Sequence, residues 1–255
     1  MRLQVLGCSG GIAAGLSTTA FRIDEDILVD GGTGVGHLTI AEMCAIRHVF
    51  LTHAHFDHIV GVPLLVDTAF ECLAGDPLTI HGRPETVHAL RAHVFNDVVW
   101  PDFTLLPDPD HGVLRFAEHE PGEPVEIGGR VLESVDVLHT IPAVGYRCSS
   151  GRGGFCFSGD TGPNESLWQF LNARDPVDGL IVEVGFPNAS SELAEQTRHY
   201  CPQTLADDLR KLDYRPRILV SHLKPGCEDE IMEELAAALP NHDLHCLQSG
   251  ESFEL

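Results

Sequence analysis

The chain reads as an α/β protein built from two packed β-sheets flanked by helices, and three observations predict this. Apolar strand patterns follow one another from Val113 to Phe157, separated by turns rich in Gly, Pro and Ser. After Pro163 the pattern changes to alternating helix and strand. Metal-capable side chains stand just after strand patterns in both halves, and the strand ends of a sheet sandwich collect along one edge.

In order, an apolar strand over 2–6 ends in the turn Gly7-Cys8-Ser9-Gly10-Gly11. Val5-Leu6-Gly7-Cys8 superficially matches a lipoprotein cleavage box but lacks the apolar core and basic start that precede one, so it is read as strand plus turn. Strands over 20–23 and 27–29 form a hairpin around Asp24-Glu25-Asp26 and deliver Asp30 to Gly31-Gly32-Thr33-Gly34. These glycines lack the spacing of a phosphate loop or a dinucleotide fingerprint and are read as close backbone approach to a site. A helix is expected over 35–45, a buried strand over 48–51, and helical spacing over 59–70. A strand near 78–81 precedes a helix over 85–94 that Pro84 begins. Strands over 113–116, 130–138, 143–148 and 154–157 lead to helix 164–172, strand 179–183, helix 203–212, strand 217–220, helix 229–239 and strand 243–247. No low-complexity segment or linker interrupts this order, so residues 1–255 are expected to form a single domain, long enough to bury roughly three quarters of its unfolded surface.

The formal net charge of -22 opposes broad attraction to nucleic acid or anionic lipid. No apolar run approaches the roughly 18 to 20 residues that cross a bilayer. The eight cysteines are scattered without a CxxC pair, which in a chain of this size without a signal segment predicts reduced, buried thiols and a cytoplasmic location. A homodimer stays open, since it depends on an exposed apolar face that a sequence does not display.

The stretch Thr52-His53-Ala54-His55-Phe56-Asp57-His58 lies between the apolar runs Val49-Phe50-Leu51 and Ile59 to Val66, at a strand-to-helix junction. His53 and His55, two apart in extended backbone, project to one side and can grip one ion, while Asp57 and His58 enter the following turn and face a neighbouring one. His139, Asp160 and His222 each follow a predicted strand, so all seven residues can meet around two metals. Imidazole and carboxylate donors suit Zn²⁺ first, with Mn²⁺ or Fe²⁺ also compatible. The histidines at 37, 48, 81, 88, 93, 111, 119, 242 and 245 have no such setting and are read as surface or satisfied core.

With these residues in view, the chain resembles the metallo-β-lactamase superfamily, whose fold is a four-layer αββα sandwich of two mixed β-sheets flanked by helices. The resemblance runs from Leu6-Gly7 to Ser221-His222. Within it, THAHFDHIVG (52–61), NDVVWPD (96–102), SGDTGP (158–163) and EVGFPN (183–188) look most like class II cyclic-nucleotide phosphodiesterases. The resemblance implies His53, His55 and His139 on one metal, Asp57, His58 and His222 on the other, and Asp160 bridging them. It also implies that Asp30 orients a ligand from behind, that Asp57 and Asp160 take part in catalysis, and that His199 serves as general acid or phosphate ligand. Cys201 departs from that pattern, which has Ser or Thr before the proline. Asn96 and Trp100 are the candidates for holding the nucleobase, by amide hydrogen bonds and a ring face.

The reaction expected is hydrolysis of 3′,5′-cyclic nucleotides (cAMP or cGMP) to 5′-monophosphates. A metal-bridging hydroxide attacks phosphorus in line and expels the 3′ oxygen. The nearest rival is a tRNA 3′-processing or other nucleic-acid phosphodiesterase of the same superfamily, against which the acidic balance weighs on electrostatic grounds. A β-lactamase would ordinarily be exported and lack the bridging carboxylate. A reading of another class, a non-catalytic nucleotide- or metal-binding sensor, would be expected to have lost ligands, whereas all seven positions are filled.

Overall fold

Strand patterns that alternate between two buried faces dictate a layered arrangement, and the computed structural model, which describes residues 1–151 and 153–255, has it. The first half contains β1 (Arg2–Gly7), β2 (Ala20–Ile23), β3 (Ile27–Val29), α1 (Ile40–Met43), β4 (His48–Phe50), α2 (Phe56–Ile59), α3 (Gly61–Thr68), α4 (Phe70–Leu73), β5 (Leu78–Gly82), α5 (Pro84–His93) and β6 (Leu114–Glu118). The second half contains β7 (Pro124–Ile127), β8 (Arg130–Val137), β9 (Ala143–Ser149), β10 (Gly154–Phe157), α6 (Ser166–Asn172), β11 (Gly179–Glu183), α7 (Ser191–Thr197), α8 (Pro202–Asp208), β12 (Arg217–Ser221), α9 (Glu228–Ala238), β13 (Leu244–Cys246) and β14 (Ser252–Glu254).

Among the described residues the strands form two sheets of seven, ordered β14-β1-β2-β3-β4-β5-β6 and β13-β12-β11-β10-β9-β8-β7. Each sheet is mixed: β3 to β6 and β10 to β13 run parallel, while the remaining pairs are antiparallel. The central strands are buried on both faces, which is why they read as unbroken apolar runs. Their residues alternate between layers. Ile27, Val29, Phe50, Ile181 and Leu219 point into the core between the sheets, whereas Leu28, Val49 and Ile80 meet Val62, Leu65 and Leu90 of the outer helices. On the opposite side Leu180, Val182, Ile218 and Val220 meet Trp168, Leu205, Ile231 and Leu235. This is the expected αββα sandwich.

Local differences have local causes. The helix expected over 35–45 is instead a 3-10 turn, Thr33–His37, followed by the four-residue α1. Glycines at 34 and 36 disfavour a continuous helix, and Thr39 starts a new one through a capping box with Glu42. The helical stretch over 59–70 is divided into α2, α3 and α4 at Val60 and Ala69. The reading of all eight cysteines as reduced is corrected: Cys44, which caps α1, and Cys72, on α4, are joined in a disulfide. Among the described residues the other six are free thiols, and burial pushes those of Cys8, Cys148 and Cys156 up to about 12.

The topology positions the site. β8 is antiparallel to β9, β9 to β10, and β10 to β12 run parallel, so the C-terminal ends of β8, β10, β11 and β12 share one edge of the second sheet. His139, Asp160, Glu183 and His222 lie at or just beyond those ends.

Candidate metal centre

The segment after β4 stays extended through His55, which stands at the N-terminus of α2, so Asp57 and His58 enter its first turn. The close packing expected of the early glycines holds this segment. Gly31 N donates to His58 O (2.7 Å), Gly61 N donates to Gly31 O (2.7 Å), and a Cβ on Gly32 would collide with the Asp57 carbonyl.

Three groups of donors result; His139, Asp160 and His199 form one that overlaps the other two, and those two hold the sequence-predicted ligands. One ligand atom from each of His53, His55 and His139 lies within 4.8 Å of the others, and the same holds for Asp57, His58, Asp160 and His222. The Asp160 carboxylate stands between the groups: Oδ2 is 3.2 Å from His58 Nε2, 3.4 Å from His222 Nε2 and 3.8 Å from His53 Nε2. All seven sequence-predicted ligands are therefore brought together, and Asp160 and His58 are completely or almost completely buried.

Partners behind the candidate ligands fix their rings. Fully buried Asp30 accepts from Thr52 N (2.8 Å) through Oδ1, and its Oδ2 lies 2.7 Å from His58 Nδ1. That pairing directs His58 Nε2 toward Asp160. His139 Nδ1 donates to Arg198 O (3.2 Å), which directs its Nε2 inward. Asp30 and His222 both occupy the left-handed backbone region, with φ of 57° and 63°. His222 N donates to Cys8 O (2.6 Å), and a Cβ on Gly10 would strike the His222 carbonyl, so the strained turn is held by the loop after β1.

The electrostatics match a cation site. Burial lowers the pKa of His53 and His55 and brings those of His139 and His222 to about 4, keeping these imidazoles neutral, the ligating form. Burial opposes a charge on His58 too, but the carboxylates of Asp160 and Asp30 outweigh it and hold that imidazole well above its ordinary value. The Asp160 carboxyl is likewise held well below its usual range by His222, His58 and His53 against the effect of burial. His58 Nε2, Asp160 Oδ1 and His222 Nδ1 are buried without a hydrogen-bond partner. Orphaned imidazole and carboxylate atoms on residues of one donor cluster fit divalent metal ions.

His199 lies at the edge of the cluster. Its ring centre is 5.1 Å from that of His139 and 5.4 Å from that of His222, and its Nδ1 is 2.8 Å from Glu183 Oε1. Glu183 is fully buried and also accepts from Thr161 N (3.0 Å). Burial raises its pKa against the pull of His199, and the two carboxylates, Glu183 and Asp160, raise that of His199 against burial. The sequence reading assigns Glu183, Thr52 and Thr161 no role. The available signal is a glutamate closing the otherwise apolar strand GLIVE, since a charge buried there requires a partner. Cys201 stands at the start of α8, where its N–H donates to Thr204 Oγ1 (3.0 Å), so the departure at this position stays local.

The amide of Asn96 is committed to its own loop. Its Oδ1 accepts from Val98 N and Val99 N, and its Nδ2 donates to Ala92 O. These bonds tie the Asn96 amide to the turn after α5 and leave one Nδ2 N–H without a partner among the described residues. Trp100 lies with Phe56, Val60, Leu64 and Val99 around an apolar groove of about 160 Å³.

Compared with known proteins, residues 25–222 match the family described as the beta-lactamase superfamily domain. The chain is similar to a probable 3′,5′-cyclic-nucleotide phosphodiesterase of Yersinia pestis, 27% identical over 85% of this chain and 67% of that protein. It is also similar to a ribonuclease Z of Methanosarcina acetivorans, 23% identical over 91% of this chain and 90% of that one. In fold it matches unliganded yeast PDE1 with a TM-score of 0.84 and 21% identity, covering 100% of this chain and 99% of that one. Among the described residues no helix is long and apolar enough to cross a membrane.

Proposed function

The chain belongs to the beta-lactamase superfamily, a family of metal-dependent hydrolases, and on that premise we propose that it is a dinuclear phosphodiesterase converting 3′,5′-cyclic nucleotides, cAMP or cGMP, to 5′-monophosphates. The observation that carries the reading is the Asp160 carboxylate lying between two convergent donor groups, with the His199–Glu183 pair beside them. In this reading residues 1–255 act as one domain, and the name of the Yersinia relative supports the choice of substrate.

His53, His55 and His139 would hold one divalent ion, Asp57, His58 and His222 the other, and Asp160 both, with Zn²⁺ the favoured metal on donor chemistry. Bound there, such ions supply a water of lowered pKa and neutralise charge on a phosphoryl oxygen. The chain's own residues do the rest. Asp30 holds His58 through Nδ1, and burial of the cluster keeps bulk water away from the reacting phosphate. Glu183 holds His199 through Nδ1, which leaves Nε2 to give a proton to the departing 3′ oxygen.

A second reading, a tRNA 3′-processing nuclease, has one observation in its favour, the ribonuclease Z likeness over nearly the whole chain. The net charge of -22 opposes it, because a long polyanion needs a basic track. Incubating the metal-loaded protein with 3′,5′-cAMP, 2′,3′-cyclic AMP and a tRNA precursor side by side tests the choice. Preferred release of 5′-AMP from 3′,5′-cAMP is expected, and cleavage of the precursor alone would overturn the proposal.

A further inference from the structure

Beside His199 a second, larger cavity of about 470 Å³ opens between Leu138, the Gly162-Pro163 turn and α7. It is built onto the candidate metal centre. Gly162 N donates to Leu138 O (2.9 Å), and the Arg198 guanidinium donates to His139 O (2.6 Å), so the walls are tied to the segment that carries a candidate ligand. The cavity falls in the range of roughly 300–1,000 Å³ found for small-molecule sites, and the Trp100 groove falls below it.

Resting on the phosphodiesterase reading, we propose that this cavity receives the nucleoside of the substrate and that Glu192 and Glu195 on its rim exclude additional phosphates, confining the site to mononucleotides. The chemistry sets the side. A proton donor faces the oxygen that departs, and the group bonded to that oxygen is the ribose, so the nucleoside lies next to His199. His199 lines this cavity. Leu138, 41% exposed despite its place beside the buried cluster, and Pro163 offer apolar surface for a ring, and Thr204 and Ser191 offer hydroxyls. Glu192 and Glu195, both exposed, have no ion-pair partner among the described residues, and Arg198, the arginine on the same lining, donates to His139 O, so two carboxylates stand against one guanidinium where a group leaves the cavity. A cyclic mononucleotide has one phosphate, which is held at the candidate metal centre. A polynucleotide must carry further phosphates past both carboxylates.

The test uses the metal-loaded protein with bis(p-nitrophenyl) phosphate, a diester without a nucleoside, and with 3′,5′-cAMP. Adenosine should compete with the nitrophenyl substrate in the native protein. Ser191→Trp, which fills the cavity from its exposed side, should weaken that inhibition and lower kcat/KM for cAMP about tenfold more than for the nitrophenyl diester. Adenosine binding followed by calorimetry should fall in the same variant. In the double variant Glu192→Gln/Glu195→Gln, turnover of a 5′-phosphorylated dinucleotide relative to cAMP should rise about threefold at low salt, and the gain should shrink near 0.5 M salt as screening removes the repulsion. Absence of adenosine inhibition in the native protein, or an equal loss on both substrates in Ser191→Trp, would overturn the nucleoside site. An unchanged dinucleotide ratio would overturn the charge exclusion. If the nitrophenyl diester is cleaved and cAMP is not, the phosphodiesterase reading fails, and adenosine competition in the native protein and Ser191→Trp still decides the cavity.

Discussion

The first sheet presents its candidate ligands in one stretch, His53 to His58, backed by Asp30, whereas the second presents His139, Asp160, His199 and His222 from separate strand ends and loops. Both halves use a buried carboxylate to hold a histidine Nδ1, Asp30 for His58 at 2.7 Å and Glu183 for His199 at 2.8 Å. Their surroundings differ. Both oxygens of Asp30 are occupied by Thr52 and His58, while Glu183 Oε2 is buried without a partner. His58 is enclosed and aimed at Asp160, and His199 borders an open cavity. The same pair of side chains thus suits a fixed ligand in one half and a proton carrier in the other, and the disulfide from Cys44 to Cys72 closes a loop around the first set alone.

The largest predicted effect separates the two pairs. His199→Ala should lower kcat on 3′,5′-cAMP by about 10²–10⁴, and by less on a p-nitrophenyl diester, whose leaving group needs no proton. Metal content that falls in step with activity would instead make His199 a ligand. Cys44→Ser opens the loop around the first motif and should cost about 3 kcal/mol in urea unfolding of the oxidised protein, and an unchanged midpoint would mean that the bridge does not support this half. Asp30→Asn should weaken metal binding about 10- to 100-fold in a competitive chelator titration. Equal metal affinity in this variant and the native protein would remove the ligand-orienting role of Asp30.

How much of this is legible in the sequence depends on whether the signal is local. The motif at 53–58 can be read because four donors share one turn, and strands such as β10, β11 and β12 can be read because burial on both faces makes them apolar runs. β7 begins with a proline and alternates weakly, β14 has only three residues, and α7, SELAEQT, is almost entirely polar, so none announces itself. The partnership of Glu183 with His199 and the meeting of Cys44 with Cys72 are products of tertiary packing, which spacing does not encode. The ligand grouping follows from the resemblance together with strand order, and the bonds of the Asn96 amide to its own loop are a product of the turn that spacing does not encode.

A pH-dependent effect lies behind the first motif. His81 packs on Phe50 with ring centres 4.2 Å apart, and burial, then the neighbouring His48 and His119, depress its pKa to about 3. Because the folded state binds this proton less readily than the unfolded chain, whose histidine titrates near 6.5, its contribution is complete above about pH 6.5 and is lost as pH falls toward 3. His81→Gln should therefore flatten the acid side of the stability curve by up to about 1.4 kcal/mol per pH unit, measured by urea unfolding between pH 7 and roughly 4. Parallel curves for the two proteins would contradict it.

The most direct test of the central claim is metal stoichiometry measured on the same preparation that is assayed for hydrolysis. Two equivalents of divalent metal per chain, falling to one or fewer in Asp160→Ala together with loss of 5′-AMP formation from 3′,5′-cAMP, is the predicted result. Fewer than two equivalents in the native protein, with no hydrolysis of cAMP or bis(p-nitrophenyl) phosphate, would contradict a dinuclear catalyst and favour a binding protein.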